Sequence, residues 1–305
     1  MKYSLNVITL FSIFLINAKV NAQSDFQGSA TYISKTSVDI DKWGGNKMSP
    51  ERKKMMMERM KSFLEKTFIL TFNKTESIYK EEEQLGAPGG KGGFGAMMGS
   101  FTGGAQYKNV KESVMLQEQE FFGKQFLIND SIPDLDWEMT GETKQIGKYM
   151  CFKATAVKPV DEFDWTNMRR KGKGAKKKEE VNADQAKKEI SKVETDSSKS
   201  ATKSFMDDIE IPKEVEVVAW YTMQVPISNG PGEFAGLPGL ILELNTGRTT
   251  ILCASITLNP EDKKQIKRPT KGKIVTKKEY NDIVNKKMTE MKEMYGGRRG
   301  KGRRK

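Results

Sequence analysis

The stretch 240–258, LILELNTGRTTILCASITL, is the key to the fold. Two strand-like runs, 240–244 and 249–258, flank Asn245-Thr246-Gly247. That triplet suits a three-residue hairpin connection with glycine in the left-handed position. Working towards the N-terminus, residues 215–224 form another such run, rich in valine and carrying Trp220 and Tyr221. A Pro/Gly loop, 225–233, follows it. The same pattern recurs at 28–34, 67–72, 76–81, 105–119, 125–129, 137–140 and 143–157. Asn73-Lys74-Thr75 and Gly141 read as turns between partners, and Met150, Phe152, Ala154 and Ala156 as one apolar face.

Two segments switch to helical spacing. Ser49-Pro50-Glu51 is a helix start, with serine as N-cap and proline at the first helical position. Met56, Met60, Phe63 and Leu64 then fall on one face, as adaptable core filling. Near the C-terminus Thr276-Lys277-Lys278-Glu279 is a capping box. The helix beyond it groups Tyr280, Ile283, Val284, Met288 and Met291, with Met294 or Tyr295, for packing on a sheet. Strands in hairpin order with two amphipathic helices predict an α+β fold. The expected sheet is predominantly antiparallel, curved and half-barrel-like, with both helices packed on one face.

The N-terminus reads as an export signal. Lys2 precedes an uncharged apolar run, 5–16, and Val20-Asn21-Ala22 is a small-x-small cleavage pattern. The run is too short to span about 30 Å of hydrocarbon. The expected organisation is a signal peptide 1–22 and a single β-rich domain 23–295. Disordered inserts are expected at about 86–104, which is Gly-rich, and 166–207, which is charge-dense. A basic tail covers 296–305. No further segment is apolar enough to cross a membrane, so the expected location after cleavage near Ala22 is periplasmic or secreted.

Composition removes several chemistries. The 305 residues include no histidine, which excludes His-based triads and His-rich metal sites. No framework of nucleophile and activating base is recognisable, and the Gly-rich insert lacks the ending and context of a phosphate loop. No catalytic residue, cofactor or metal is expected. The net charge of +12 suits an anionic neighbour, lipid or protein, and equally a well-solvated surface. Nucleic acid is not expected. Cys151 and Cys253 are a candidate disulfide, as a pair of thiols in an oxidising compartment usually becomes one; two separate buried thiols are the alternative.

Residues 236–241, Gly236-Leu237-Pro238-Gly239-Leu240-Ile241, resemble the signature of the GLPGLI family, exported proteins of the Bacteroidota. Trp137, the run 147–154, Ala219-Trp220-Tyr221-Thr222, Pro226 and Gly230-Pro231 fall in that family's usual order. The resemblance implies lineage and compartment and no activity. Read physically, Gly236 and Gly239 allow backbone angles or close approaches, Pro238 fixes its own φ, and Leu237, Leu240 and Ile241 anchor the corner. Trp137, Trp220 and Tyr221 are candidates for binding or for structure. Two functions follow from these readings. One is a non-catalytic accessory protein docking on an envelope partner, such as an outer-membrane receptor or transporter. The other is a carrier of a lipid or other apolar ligand in a half-barrel cavity.

Overall fold

The computed structural model describes residues 26–38, 48–82, 103–161, 169–170, 209–210 and 212–296. The expected signal peptide, most of both inserts and the basic tail lie outside the described residues. The chain enters with β1 (Gln27–Thr36), and α1 (Pro50–Leu64) follows. Ser49 caps α1 by accepting from the Arg52 amide. Lys53, Met56, Met60 and Phe63 on this helix are half-buried and Leu64 is buried, so the expected face is the one that packs.

Next come β2 (Glu65–Asn73) and β3 (Glu76–Glu81). The Asn73 side chain closes their turn by accepting from the amides of Thr75 and Glu76 at 2.9 and 2.7 Å. The single strand expected over 105–119 is in fact two, β4 (Gln106–Asn109) and β5 (Val114–Phe121). Asn109 breaks it by accepting from the Lys111 and Glu112 amides, and Ser113 completes the turn with a φ of 54°. Gly104, expected to end the Gly-rich insert, donates to the Glu118 carbonyl two residues before β4 begins.

The strands β6 (Lys124–Ser131), β7 (Glu138–Ile146) and β8 (Tyr149–Pro159) come next. The hairpin turn between the last two is at Gly147-Lys148, not at Gly141; Gly141 lies instead in a register shift between Met139 and Thr143. Met150, expected on an apolar face, is exposed, whereas Ala154 and Ala156 are buried. Short β9 (Arg169–Arg170) and β10 (Ile209–Glu210) pair with each other; β9 lies inside the span expected for the charged insert and β10 just beyond its end.

The remaining elements are β11 (Glu214–Thr222), β12 (Leu240–Thr246), β13 (Thr249–Leu258), β14 (Lys273–Val275) and α2 (Lys277–Gly296). The β12–β13 connection has two residues, Gly247-Arg248, because Thr246 already pairs with Thr249. The capping box of α2 forms reciprocally: Thr276 N–H donates to Glu279, and Glu279 N–H to Thr276 Oγ1.

Among the described residues twelve strands make one open sheet in the order β14-β6-β5-β4-β3-β2-β1-β13-β12-β11-β8-β7. Every pairing is antiparallel except β14 with β6, so the sheet is mixed. The three residues of β14 carried no strand signal of their own. Tyr280 and Val284 of α2 pack with Phe121, Phe126, Ile128 and Val275. The central core gathers Ala30, Tyr32, Leu70, Phe72, Tyr79, Leu240 and Leu242. A second cluster joins Ala154, Val217, Ala219, Tyr221, Leu237, Ile241 and Leu244. No helix among the described residues is long and apolar enough to cross a membrane.

Candidate functional site

The connection between β11 and β12 folds on itself before it delivers the hexapeptide. Asn229 and Ala235 form an antiparallel bridge. The amides of Leu240 and Ile241 donate to the carbonyls of Val225 and Asn229, both at 3.0 Å. Within 236–241 each residue type has a local cause. Gly236 sits at φ +95°, a conformation that side chains resist. A Cβ on Gly239 would lie 2.1 Å from the Thr222 carbonyl oxygen, so only glycine lets the loop cross the end of β11. Leu237, Leu240 and Ile241 are buried, while Gly236 and Pro238 stay exposed at the corner.

Side chains from distant parts of the fold hold this loop. Lys108 of β4 is wholly buried. Its ammonium donates to the carbonyls of Gly230 and Phe234, both at 2.8 Å. Trp137, just before β7, donates from Nε1 to the Ala235 carbonyl at 2.9 Å. Ser228 Oγ accepts from the Gly236 amide. Lys158 of β8 pairs with Glu233 and lies 5.5 Å from the Phe234 ring. Burial pushes the Lys108 amine down to about 7, with Glu233 opposing the shift. The loop thus ties β4 to β8, β11 and β12.

The structure sorts the three aromatic candidates. Trp137 and Tyr221 join Leu237 and Ile241 in one cluster and support the corner. Tyr221 is buried and its hydroxyl lies 3.4 Å from the Met139 sulfur. Trp220 packs against the central core instead, with the Lys144 ammonium 4.2 Å from its ring and Lys144 paired to Glu243 at 2.7 Å. No pattern in the sequence marks Lys108, Ser228 or Glu233 as site residues. An alternating reading of β4 sends Lys108 to solvent; nothing local reveals that a loop more than a hundred residues later covers it.

Cys151 and Cys253 stand as free thiols and meet in the central core cluster. Burial raises Cys151 to about 11 and Cys253 to about 12, and the neighbouring Cys151 adds to the rise at Cys253. In the folded, reduced protein both thiols are therefore expected to react with Ellman's reagent at pH 8 at least about a hundredfold more slowly than a free cysteine. A fast-reacting thiol would contradict this. The unfolded, unreduced protein separates the two pairing readings: two titratable thiols end the disulfide, and none establishes it.

Beside the corner, Val110, Ser113, Ile132, Pro133, Asp134, Leu135, with Ser228, Ala235 and Gly236, line an open groove of about 290 Å³. Two other grooves hold about 250 and 370 Å³ and are bordered by charged and polar groups. In the smaller of these Glu81 is paired with Lys66 and Glu65 with Lys35, so these carboxylates are tied to cations. Among the described residues no group of three or more Cys, Asp or Glu could hold a metal.

Residues 137–243 match the model of a family described as "Protein of unknown function (Porph_ging)". The match begins at Trp137 and ends in β12, so it contains the corner, Trp137, Lys158 and Glu233 but not Lys108. No curated protein matches. Structures of PNGF-II in the C2 and P21 space groups are similar at 12% and 13% identity, with TM-scores of 0.44 and 0.42. They cover 85% and 86% of this chain, which spans only 32% and 33% of theirs. At these scores the likeness carries no functional information.

Proposed function

We propose that the chain is an exported, non-catalytic accessory protein of the bacterial envelope that docks on a protein partner through the hexapeptide corner. The observation that carries this reading is the combination of rigidity and exposure. Lys108, Trp137 and Ser228 hold the loop in one conformation. The exposed Gly236 borders an open groove, with exposed Pro238 two residues on. A preorganised surface of this kind loses little entropy on binding. The hexapeptide and its accompanying residues support membership of the GLPGLI family, the signal-like 1–22 supports export, and an outer-membrane receptor or transporter is the partner class that fits. The carrier alternative, with a half-barrel cavity and both helices on one face, has less support. The central core is filled by Tyr32, Leu70, Phe72 and Leu240, and the grooves described are open and bordered by polar groups.

Crosslinking in the native envelope, with mass spectrometry of captured proteins and lipids, tests the proposal. One stoichiometric protein partner is expected. Asp134→Arg, at an exposed groove position, is expected to abolish capture without lowering Tm. Undiminished capture by that variant, or bound lipid with no protein partner, would contradict the reading.

A further inference from the structure

We propose that a second surface, at the β14 edge of the sheet, docks on an anionic lipid bilayer. Between Lys263 and Lys278 the chain carries eight Lys and Arg and no Asp or Glu. The structure fastens this run to the sheet. Ile266 packs against the cluster of Tyr107, Leu116 and Leu127. Arg268 pairs with Glu112 at 3.7 Å and lies over the Tyr107 ring. Lys273–Val275 then pair with β6. Lys264, Lys267, Lys271 and Lys273 are exposed along the path. At Gly272 the run passes so close that a Cβ would lie 2.8 Å from the Phe126 carbonyl carbon. This sets Lys271 and Lys273 beside the β5–β6 hairpin, where exposed Lys124 pairs with Phe121. Glu118 and Glu120 border the same groove as Lys271, so the positive excess comes from the run and not from β5.

Two apolar side chains share this edge, Ile274 at 66% exposure and Phe122 at 46%. Phe122 and Gly123 are the central residues of the β5–β6 turn, with φ of 49° and 72°. A two-residue turn with both φ positive favours Asn-Gly; phenylalanine there is a backbone outlier. Its ring meets Phe121 edge-on at 4.7 Å and otherwise faces water in large part. A strained bulky residue kept at an exposed tip points to a use outside the fold. Exposed apolar side chains on the same sheet edge as these lysines suit a bilayer surface: the apolar groups enter the headgroup boundary and the ammonium groups meet lipid phosphates. This goes beyond partner docking at the corner, shares with it only the export premise, and is tested without any partner present.

The test is co-sedimentation of the intact protein with vesicles of phosphatidylcholine alone, or of equal parts phosphatidylcholine and phosphatidylglycerol. Residues 1–22 are common to all variants and cancel in the comparison. The wild type is expected to bind the anionic vesicles more tightly. K271Q/K273Q is expected to weaken that binding by about fivefold for each lysine removed. Phe122→Asn is expected to weaken it severalfold while leaving Tm unchanged or raised, because asparagine suits the turn. Equal binding to both vesicle types would overturn the proposal. So would Phe122→Asn binding as the wild type does, with or without a lower Tm. Loss of binding from K176Q/K177Q/K178Q alone would place the contact in the charged insert and also overturn it.

Discussion

Gly239→Ala is expected to destabilise the protein by about 3 kcal/mol or more. The methyl group would sit 2.1 Å from the Thr222 carbonyl oxygen and 2.6 Å from its carbon, and its third neighbour is the Met223 nitrogen. All three are backbone atoms at the end of β11, so relief requires the strand end or the loop to move. Movement there pulls on the Leu240 amide bond to Val225 and on the packing of Leu237, Leu240 and Ile241. For a domain of this size the loss corresponds to a Tm lower by about 10 °C. Gly147→Ala is the matched control. That glycine has φ +57° in the β7–β8 turn with no atom within 4 Å of the added methyl, so it meets only the left-handed penalty of about 1 kcal/mol. Thermal unfolding of the two variants side by side checks this. A Gly239→Ala loss no larger than that of Gly147→Ala would mean the close crossing is not what glycine supplies.

Lys108→Met has the second large expected effect, and it depends on pH. Methionine fills similar space but leaves the Gly230 and Phe234 carbonyls without their donor, which costs about 3 kcal/mol for the two together. The lysine is held at about 7 in the fold against an ordinary 10.5. Between those values the unfolded chain binds more protons than the native state, so wild-type stability rises with pH across this window. Below pH 7 the full penalty of burying the charge is present. The methionine variant lacks this contribution. Its deficit relative to wild type is therefore expected to grow as pH rises towards 10.5, and to be smaller at pH 6 than at pH 9 by about 3 kcal/mol. Denaturant unfolding at both pH values checks the sign; a deficit that grows on acidification would refute it.

Local signals made much of the fold legible. The Ser49-Pro50 start, the Asn73 turn and the Thr276–Glu279 box each act through contacts within a few residues, and each appears where the pattern put it. Errors fell where a local pattern met a competing local cause. The Asn109 side chain ended β4 inside a run that reads as a single strand. Gly141 accommodated a bulge in β7 rather than a turn, because the partner strand continued past it. Strand β14 exists only because β6 offers an edge to pair with, and three residues hold too little pattern to announce that.

The corner was half legible for a similar reason. Gly236, Pro238 and Gly239 mark backbone constraint in any sequence, and the buried leucines and isoleucine mark anchorage. What restrains the loop lies far away in the chain. Lys108 is 122 residues before Gly230 and 126 before Phe234. Trp137 is conspicuous as an aromatic, but its bond to Ala235 spans 98 residues. Contacts of that separation are set by sheet order, with β4 and β12 brought under one loop, and no window of sequence contains them.

The central claim is that Lys108 holds the hexapeptide corner in its conformation. Amide hydrogen exchange of the wild type and of Lys108→Met tests it most directly, read at Leu240, Ile241 and Gly236, with the β5–β6 amides as internal reference. The account predicts that exchange at the three corner amides rises at least about tenfold in the variant while the β5–β6 amides keep their rates. Unchanged protection at Leu240 and Ile241 would show that the corner holds without the buried lysine, and would contradict the claim.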